Sequence, residues 1–264
     1  MAKIGFIGTG NMGSAIAKCI VTEGKTVFLS NRTIAKAKSL SLLIDNSVVS
    51  TNEEIAEKCD LIFLSVKPQM MESVLTSISS ILQNRNDSFV LCTMAASLTC
   101  KKILAMANVN CPIIRIMPNT PCEIGCGVVQ YCGQNVSNEL LKEFADLIQK
   151  AGLVDLIDEN KIDAASAVSG CGPAFVYMFI EALADGGVAC GLTRAQAIEY
   201  AAKMVEGSAK MVLETHKHPG ALKDAVCSPA GTTIQGVKAL EENGFRGATM
   251  NAVIAAYEKT LKLK

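Results

Sequence analysis

Gly8-Thr9-Gly10-Asn11-Met12-Gly13 decides the reading of the chain, because it follows the apolar run Ile4-Gly5-Phe6-Ile7 and opens into the helix-forming stretch Ser14-Ala15-Ile16-Ala17-Lys18-Cys19-Ile20. A strand, G-x-G-x-x-G and a helix in succession are the setting in which this pattern marks a dinucleotide site. Gly8 allows the tight turn, Gly10 lets the backbone approach a pyrophosphate, and Gly13 lets the helix pack on the strand. Phosphates then rest on the unpaired N–H groups of the helix N-terminus, where the macrodipole favours negative charge.

Outward from this turn, strand-like runs at residues 3–7, 26–30, 48–50, 61–66, 89–94 and 113–117 alternate with helical segments. Such alternation predicts an α/β fold with a mainly parallel sheet, right-handed crossovers and helices on both faces. A run at 127–131, an amphipathic segment at 137–150 and a run at 153–157 extend the sheet, and the domain is expected to close at residue 158. From residue 161 strand-like runs disappear. Residues 159–264 are therefore expected to form a second, all-helical domain. In it Pro173 starts an almost wholly apolar helix over 174–186, and a helix apolar on every side must be covered on every side. About a hundred residues can hardly do this alone, so a partner subunit is expected. Thr193 is the N-cap of a helix running to Thr215, and further helices are predicted over 221–226, 231–242 and 248–261.

The 264 residues are 50% hydrophobic, enough for a large core. Twenty-five lysines and arginines balance twenty-five aspartates and glutamates, so no global field draws nucleic acid or an anionic membrane. No apolar stretch of about 20 residues lacks charge or punctuation, and no membrane span is predicted. Eleven cysteines without a secretory leader point to a reduced, cytoplasmic protein. Cys122 and Cys126 are the closest pair, the histidines number only two, and no metal site is expected.

The end of the second strand selects the cofactor. An NAD site places an acid there for the ribose 2'-OH, whereas this chain reads Ser30-Asn31-Arg32-Thr33. A guanidinium pairs bidentately with a 2'-phosphate that a carboxylate would repel, so NADPH is expected, with NADH the second choice. Ser65-Val66-Lys67-Pro68 and Asn119-Thr120-Pro121 end later strands at the same ligand-binding edge. Lys67 reads equally as a cation near the substrate or as a surface lysine. Gly170 and Gly172 before the apolar helix are explained by close backbone contact as well as by function. β-Hydroxyacid dehydrogenases follow a comparable turn with a catalytic lysine, whose place here is taken by Val176. The stretch Asp224-Ala225-Val226-Cys227-Ser228-Pro229-Ala230-Gly231-Thr232-Thr233-Ile234 offers N–H groups and hydroxyls that suit a carboxylate, although local grounds alone slightly favour an N-capped helix start.

Three segments together, 5–13 with 65–68, 167–175 and 218–241, resemble the pyrroline-5-carboxylate reductase family, in order and over essentially the whole chain. Ser228-Pro229-Ala230-Gly231-Thr232-Thr233 is the most specific of them, although Ala230 stands where many members have a second glycine. The resemblance implies a Rossmann-like domain joined to a helical dimerisation domain like the C-terminal domain of 6-phosphogluconate dehydrogenase. It also implies a homodimer, in a family whose members often assemble into decamers, with the active site at the dimer interface. By position, Gly8, Gly10, Asn11, Met12, Gly13, Ser30, Asn31, Arg32, Asn52, Ser65, Lys67, Met94 and Ala95 match its cofactor-lining segments. Val226, Ser228, Thr232 and Thr233 match its substrate loop. The implied reaction is hydride transfer from NADPH to the imine of L-1-pyrroline-5-carboxylate, giving L-proline, with Thr233 as the catalytic residue. His216 and His218 are assigned structural or surface roles, because an imine that arrives protonated needs no general acid. Competing readings are a reductase of a larger cyclic imine, a β-hydroxyacid dehydrogenase and a non-catalytic NADPH-binding dimer.

Overall fold

Burial on both faces explains why the central strands read as nearly unbroken apolar runs. In the computed structural model, which describes residues 2–20 and 22–263, β1 (Lys3–Ile7), β4 (Leu61–Leu64), β5 (Val90–Thr93) and β6 (Ile113–Pro118) are buried at every position but Lys3. With β2 (Thr26–Ser30), β3 (Ser47–Val49), β7 (Gly127–Gln134) and β8 (Gly152–Leu156) they form one sheet in the order β3-β2-β1-β4-β5-β6-β7-β8. The first six strands are all parallel and follow the doubly wound order of dinucleotide-binding folds. β7 runs antiparallel to β6 and parallel to β8.

Each face carries its own core. On one, Ile16 of α1 (Asn11–Cys19), Ala37 of α2 (Ile34–Ser41) and Phe144 of α6 (Asn138–Leu147) join a cluster with Phe6 and Phe63, whose rings stack at 4.3 Å. On the other, Ile55 of α3 (Asn52–Lys58), Leu75 of α4 (Pro68–Gln83), Ile103 of α5 (Cys100–Ala107) and Ile162 of α7 (Glu159–Ser169) cluster with Ile7, Ile62 and Leu64. Local chemistry starts these helices where the sequence allows. Thr51 Oγ1 accepts the Glu54 N–H at 3.1 Å while Glu54 accepts the Thr51 N–H, a capping box, and Pro68 opens α4.

The chain divides into two units, Met1–Cys171 with Ala256–Lys264, and Gly172–Ala255. α7 therefore belongs with the sheet, although its residues read in sequence as the beginning of the helical half. Arg115, fully buried on β6, holds it there through Asp163 at 2.7 Å and Glu159 at 3.6 Å.

The second unit contains α8 (Gly172–Ala189), α9 (Arg194–Thr215), α10 (Pro219–Ala225), α11 (Thr232–Glu242) and most of α12 (Phe245–Leu261). Thr193 caps α9 with Gln196 in a second capping box. α8 buries only Ala184, and α10, α11 and α12 bury no residue. Tyr177 and Met178 are 60% and 69% exposed. One chain thus leaves its apolar helices uncovered, as their composition implies. The continuous run Glu159–Ala189 is long and apolar enough to cross a membrane, but its first turns are tied to the sheet by Arg115.

Candidate active site

Strand register assembles the edge at which the glycine turn lies. Ile7 pairs with Ser30 on one side and Leu64 on the other, which brings the following residues, Gly8, Asn31 and Ser65, side by side. Three hydrogen bonds fix them: Gly8 N–H to Ser30 O at 2.9 Å, Thr9 N–H to Asn31 Oδ1 at 3.1 Å, and Ser65 Oγ to Gly8 O at 2.8 Å. Ser30 Oγ donates to Asn52 Oδ1 at 2.6 Å, linking the end of β2 to the first turn of α3.

The glycines divide the work. Gly8 has φ +103°, and a Cβ on it would stand 2.7 Å from the Ser65 carbonyl oxygen. Gly13 faces the Gly8 carbonyl so closely that a Cβ would lie 2.9 Å from that of Ser65. At Gly10 a Cβ would meet nothing within 4 Å. Gly8 and Gly13 are required by the fold itself, while Gly10 leaves open space at the N-terminus of α1, where a pyrophosphate would approach.

A cleft of about 750 Å³ opens beside this turn, and Gly8, Gly10, Ser30, Asn31, Arg32, Asn52, Ser65 and Lys67 all line it. Asn11, Met12 and Gly13 form the first turn of α1 beneath the glycine loop. Met94 and Ala95 follow β5 at the same edge but do not line the cleft. Lys36, in the first turn of α2, lines it too and was not singled out from sequence. Its signal was available, four residues beyond Arg32. With Arg32 and Lys67 it gives the cleft three cations against one carboxylate, Glu53, a balance that suits a phosphorylated ligand.

Asn119 closes β6 and joins the glycine turn before α8 to the sheet. Its Nδ2 donates to Ser169 O at 2.9 Å while its Oδ1 accepts the Val128 N–H at 2.9 Å, and Gln130 Nε2 donates to Ser169 Oγ at 2.8 Å.

In the helical unit, Val226 ends α10 and Gly231 is the N-cap of α11, so Ser228, Thr232 and Thr233 cluster around one helix start. Gly231 offers no side-chain cap, and Thr232 and Thr233 are exposed residues in the first turn, whose N–H groups have no intrahelical partner. Ala230 has φ +56°, in the left-handed region that glycine adopts without strain. This explains the glycine expected there. Ala230→Gly should leave the melting temperature unchanged or slightly raised in a thermal scan, although most alanine-to-glycine changes lower it. His218 Nδ1 accepts the Gly220 N–H at 3.0 Å and caps α10, a structural role.

Comparison with known proteins matches this architecture in both halves. A family model described as pyrroline-5-carboxylate reductase dimerisation matches residues 159–263, and one described as NADP oxidoreductase coenzyme F420-dependent matches residues 3–95. The chain is 41% identical to pyrroline-5-carboxylate reductase of Escherichia coli (strain K12), covering 99% of this chain and 98% of that protein. It is 39% identical to the Arabidopsis thaliana enzyme, over 99% and 95% of the two chains. Among solved structures, Plasmodium falciparum pyrroline carboxylate reductase with NADP bound superposes with a TM-score of 0.86 at 37% identity, covering 98% of this chain and 97% of that one. The Streptococcus pyogenes 1-pyrroline-5-carboxylate reductase gives 0.87 at 31% identity, with 98% and 97% covered. A doubly wound sheet with a glycine turn at its edge, a dimerisation segment of apolar helices and full-length identity at this level have one explanation: the chain belongs to the pyrroline-5-carboxylate reductase family.

Proposed function

We propose that the protein reduces the imine of L-1-pyrroline-5-carboxylate to L-proline with NADPH, the last step of proline biosynthesis. The observation that carries this reading is the pairing of a cationic dinucleotide cleft with the hydroxyl-rich start of α11 in one chain of this family. NADPH supplies the hydride when bound. Gly10 and the α1 N-terminus hold its pyrophosphate, and Arg32 with Lys36 takes its 2'-phosphate. The free N–H groups at Thr232 and Thr233 bind the substrate carboxylate, and the Thr233 hydroxyl hydrogen-bonds the imine nitrogen. An iminium that arrives protonated is already an electrophile, so alignment supplies much of the acceleration, about 7–11 kcal/mol in favourable cases. No histidine or carboxylate pair is needed for it.

Thr233→Ala should lower kcat/KM for the imine about 30-fold, the worth of one charge-assisted hydrogen bond, with the NADPH Kd unchanged. Steady-state kinetics with fluorescence titration of NADPH checks both. Arg32→Asp should weaken NADPH at least about 10-fold while moving NADH less than about 3-fold, read by the same titration. Parallel assays with pyrroline-5-carboxylate, the six-membered piperideine-6-carboxylate and a β-hydroxyacid separate the readings. Turnover only of the larger ring or of the hydroxyacid overturns this one.

The working unit proposed is a homodimer through the apolar helices, with assembly to a decamer as the higher state. The exposed faces of α8 are read as subunit contact rather than lipid contact. All eleven cysteines are free thiols, seven of them buried, which supports a reducing, cytoplasmic setting.

A further inference from the structure

Cys100, Cys132 and Glu159 are far apart in sequence and meet behind the sheet. Cys100 is the first residue of α5, Cys132 lies on β7 and Glu159 opens α7. Both thiols are buried, and the two sulfurs and a Glu159 carboxylate oxygen all lie within 4.8 Å of one another. We propose that these three side chains form a binding site for a thiophilic divalent cation of the zinc class, apart from the cofactor cleft and independent of the reductase reaction.

Zinc binds thiolate sulfur at about 2.3 Å and carboxylate oxygen at about 2.0–2.2 Å, so tetrahedral ligand atoms stand roughly 3.5–3.8 Å apart. From separations of up to 4.8 Å the cluster needs to contract by about 1.3 Å at most. The Glu159 side chain is 32% exposed, so one of the three ligands stands at the solvent edge of the cluster.

The surroundings already have the features of an outer shell. Cys100 N–H donates to Glu159 Oε1 at 2.8 Å and orients that carboxylate. Arg115 is compensated mainly by Asp163 at 2.7 Å and stands farther from Glu159, at 3.6 Å.

Charge bookkeeping favours the exchange. With both thiols protonated, Glu159, Asp163 and Arg115 carry a net charge of −1. Two S–H bonds break, two protons leave, and two metal–sulfur bonds and one metal–oxygen bond form as the cation sheds water. The four charged ligand-side groups, Arg115 and the cation again sum to −1. Binding therefore adds no net buried charge, the term that most often forbids an ion in such a place. Spacing along the chain concealed the site, because only the fold joins α5, β7 and α7.

The test titrates Cd²⁺ into the reduced, metal-free full-length protein and follows the thiolate-to-metal charge-transfer absorbance, with proton release measured in weak buffer. The expected result is one equivalent bound per chain with two protons released, unchanged in Cys126→Ser and lost in both Cys132→Ser and Glu159→Gln. Zn²⁺ at about a hundredfold excess over its Kd should raise the melting temperature of the wild type by about 5 °C or more, and not that of the two site variants. NADPH binding and circular dichroism establish that each variant is folded, and Cys100→Ser replaces any that is not. Absence of the band in the wild type, or its survival in the folded site variants, overturns the proposal.

Discussion

Replacing Gly13 with alanine is expected to remove NADPH binding together with about 3 kcal/mol of stability. Its new Cβ meets the Gly8 carbonyl and stands 2.9 Å from the Ser65 Cβ. Both neighbours are fixed, Gly8 by its hydrogen bond to Ser30 and Ser65 by its bond to the Ile7 carbonyl. Overpacking of this kind costs about 1–3 kcal/mol or more. Alanine gains about 1 kcal/mol of helix propensity over glycine, too little to offset the displacement of backbone. The contrast is Gly10→Ala, whose Cβ meets no protein atom within 4 Å. Its stability should change by no more than about 1 kcal/mol, the scale of an N-cap effect. NADPH should still weaken at least about 10-fold, because the methyl occupies the approach to the α1 N-terminus. Chemical denaturation and NADPH titration of the two variants measure the terms separately. Equal stability losses would mean that the turn is shaped by the fold alone.

Asp163→Ala is expected to cost about 3–5 kcal/mol, because it strands the Arg115 charge, itself 1% exposed, in the sheet. Glu159 remains at 3.6 Å with a side chain partly in water, and it compensates only weakly. Arg115 Nε already lacks a hydrogen-bond partner, so the guanidinium has no reserve. The double replacement Arg115→Met with Asp163→Leu removes both charges at similar volume and should recover most of the loss. Urea unfolding of the single and double variants checks this, and additive losses would contradict it. The pair matters to function through position, since α7 leads to Ser169, where Asn119 and Gln130 dock the glycine turn.

Much of this was legible in the sequence because it is written in short range. The first six strand-like runs became six parallel strands, and Gly8, Asn31 and Ser65 met because each follows a strand of matched register. The direction of β7 was harder to read, since an apolar run carries no sign of polarity. The link itself held the clue: the eight residues between Pro118 and Gly127 are too few for a parallel crossover, which needs about a dozen. Other features depend on partners distant in sequence. Arg115 sits inside the apolar run 113–117, and nothing there announces Asp163, 48 residues away. Cys100 and Cys132 read as scattered apolar residues until β7 and α5 place them together. The exposed helices follow composition faithfully, because α8 has no amphipathic face to turn inward within one chain.

The proposed function rests on direct hydride transfer from C4 of NADPH to the imine carbon of pyrroline-5-carboxylate. Incubation of the protein with the imine and NADPH deuterated on C4, once on each face, tests it, with proline analysed by mass spectrometry and NMR. The expected result is L-proline formed in step with NADPH consumption, carrying a single deuterium at Cδ from one of the two labelled faces. No proline, or proline without deuterium from either, would contradict it.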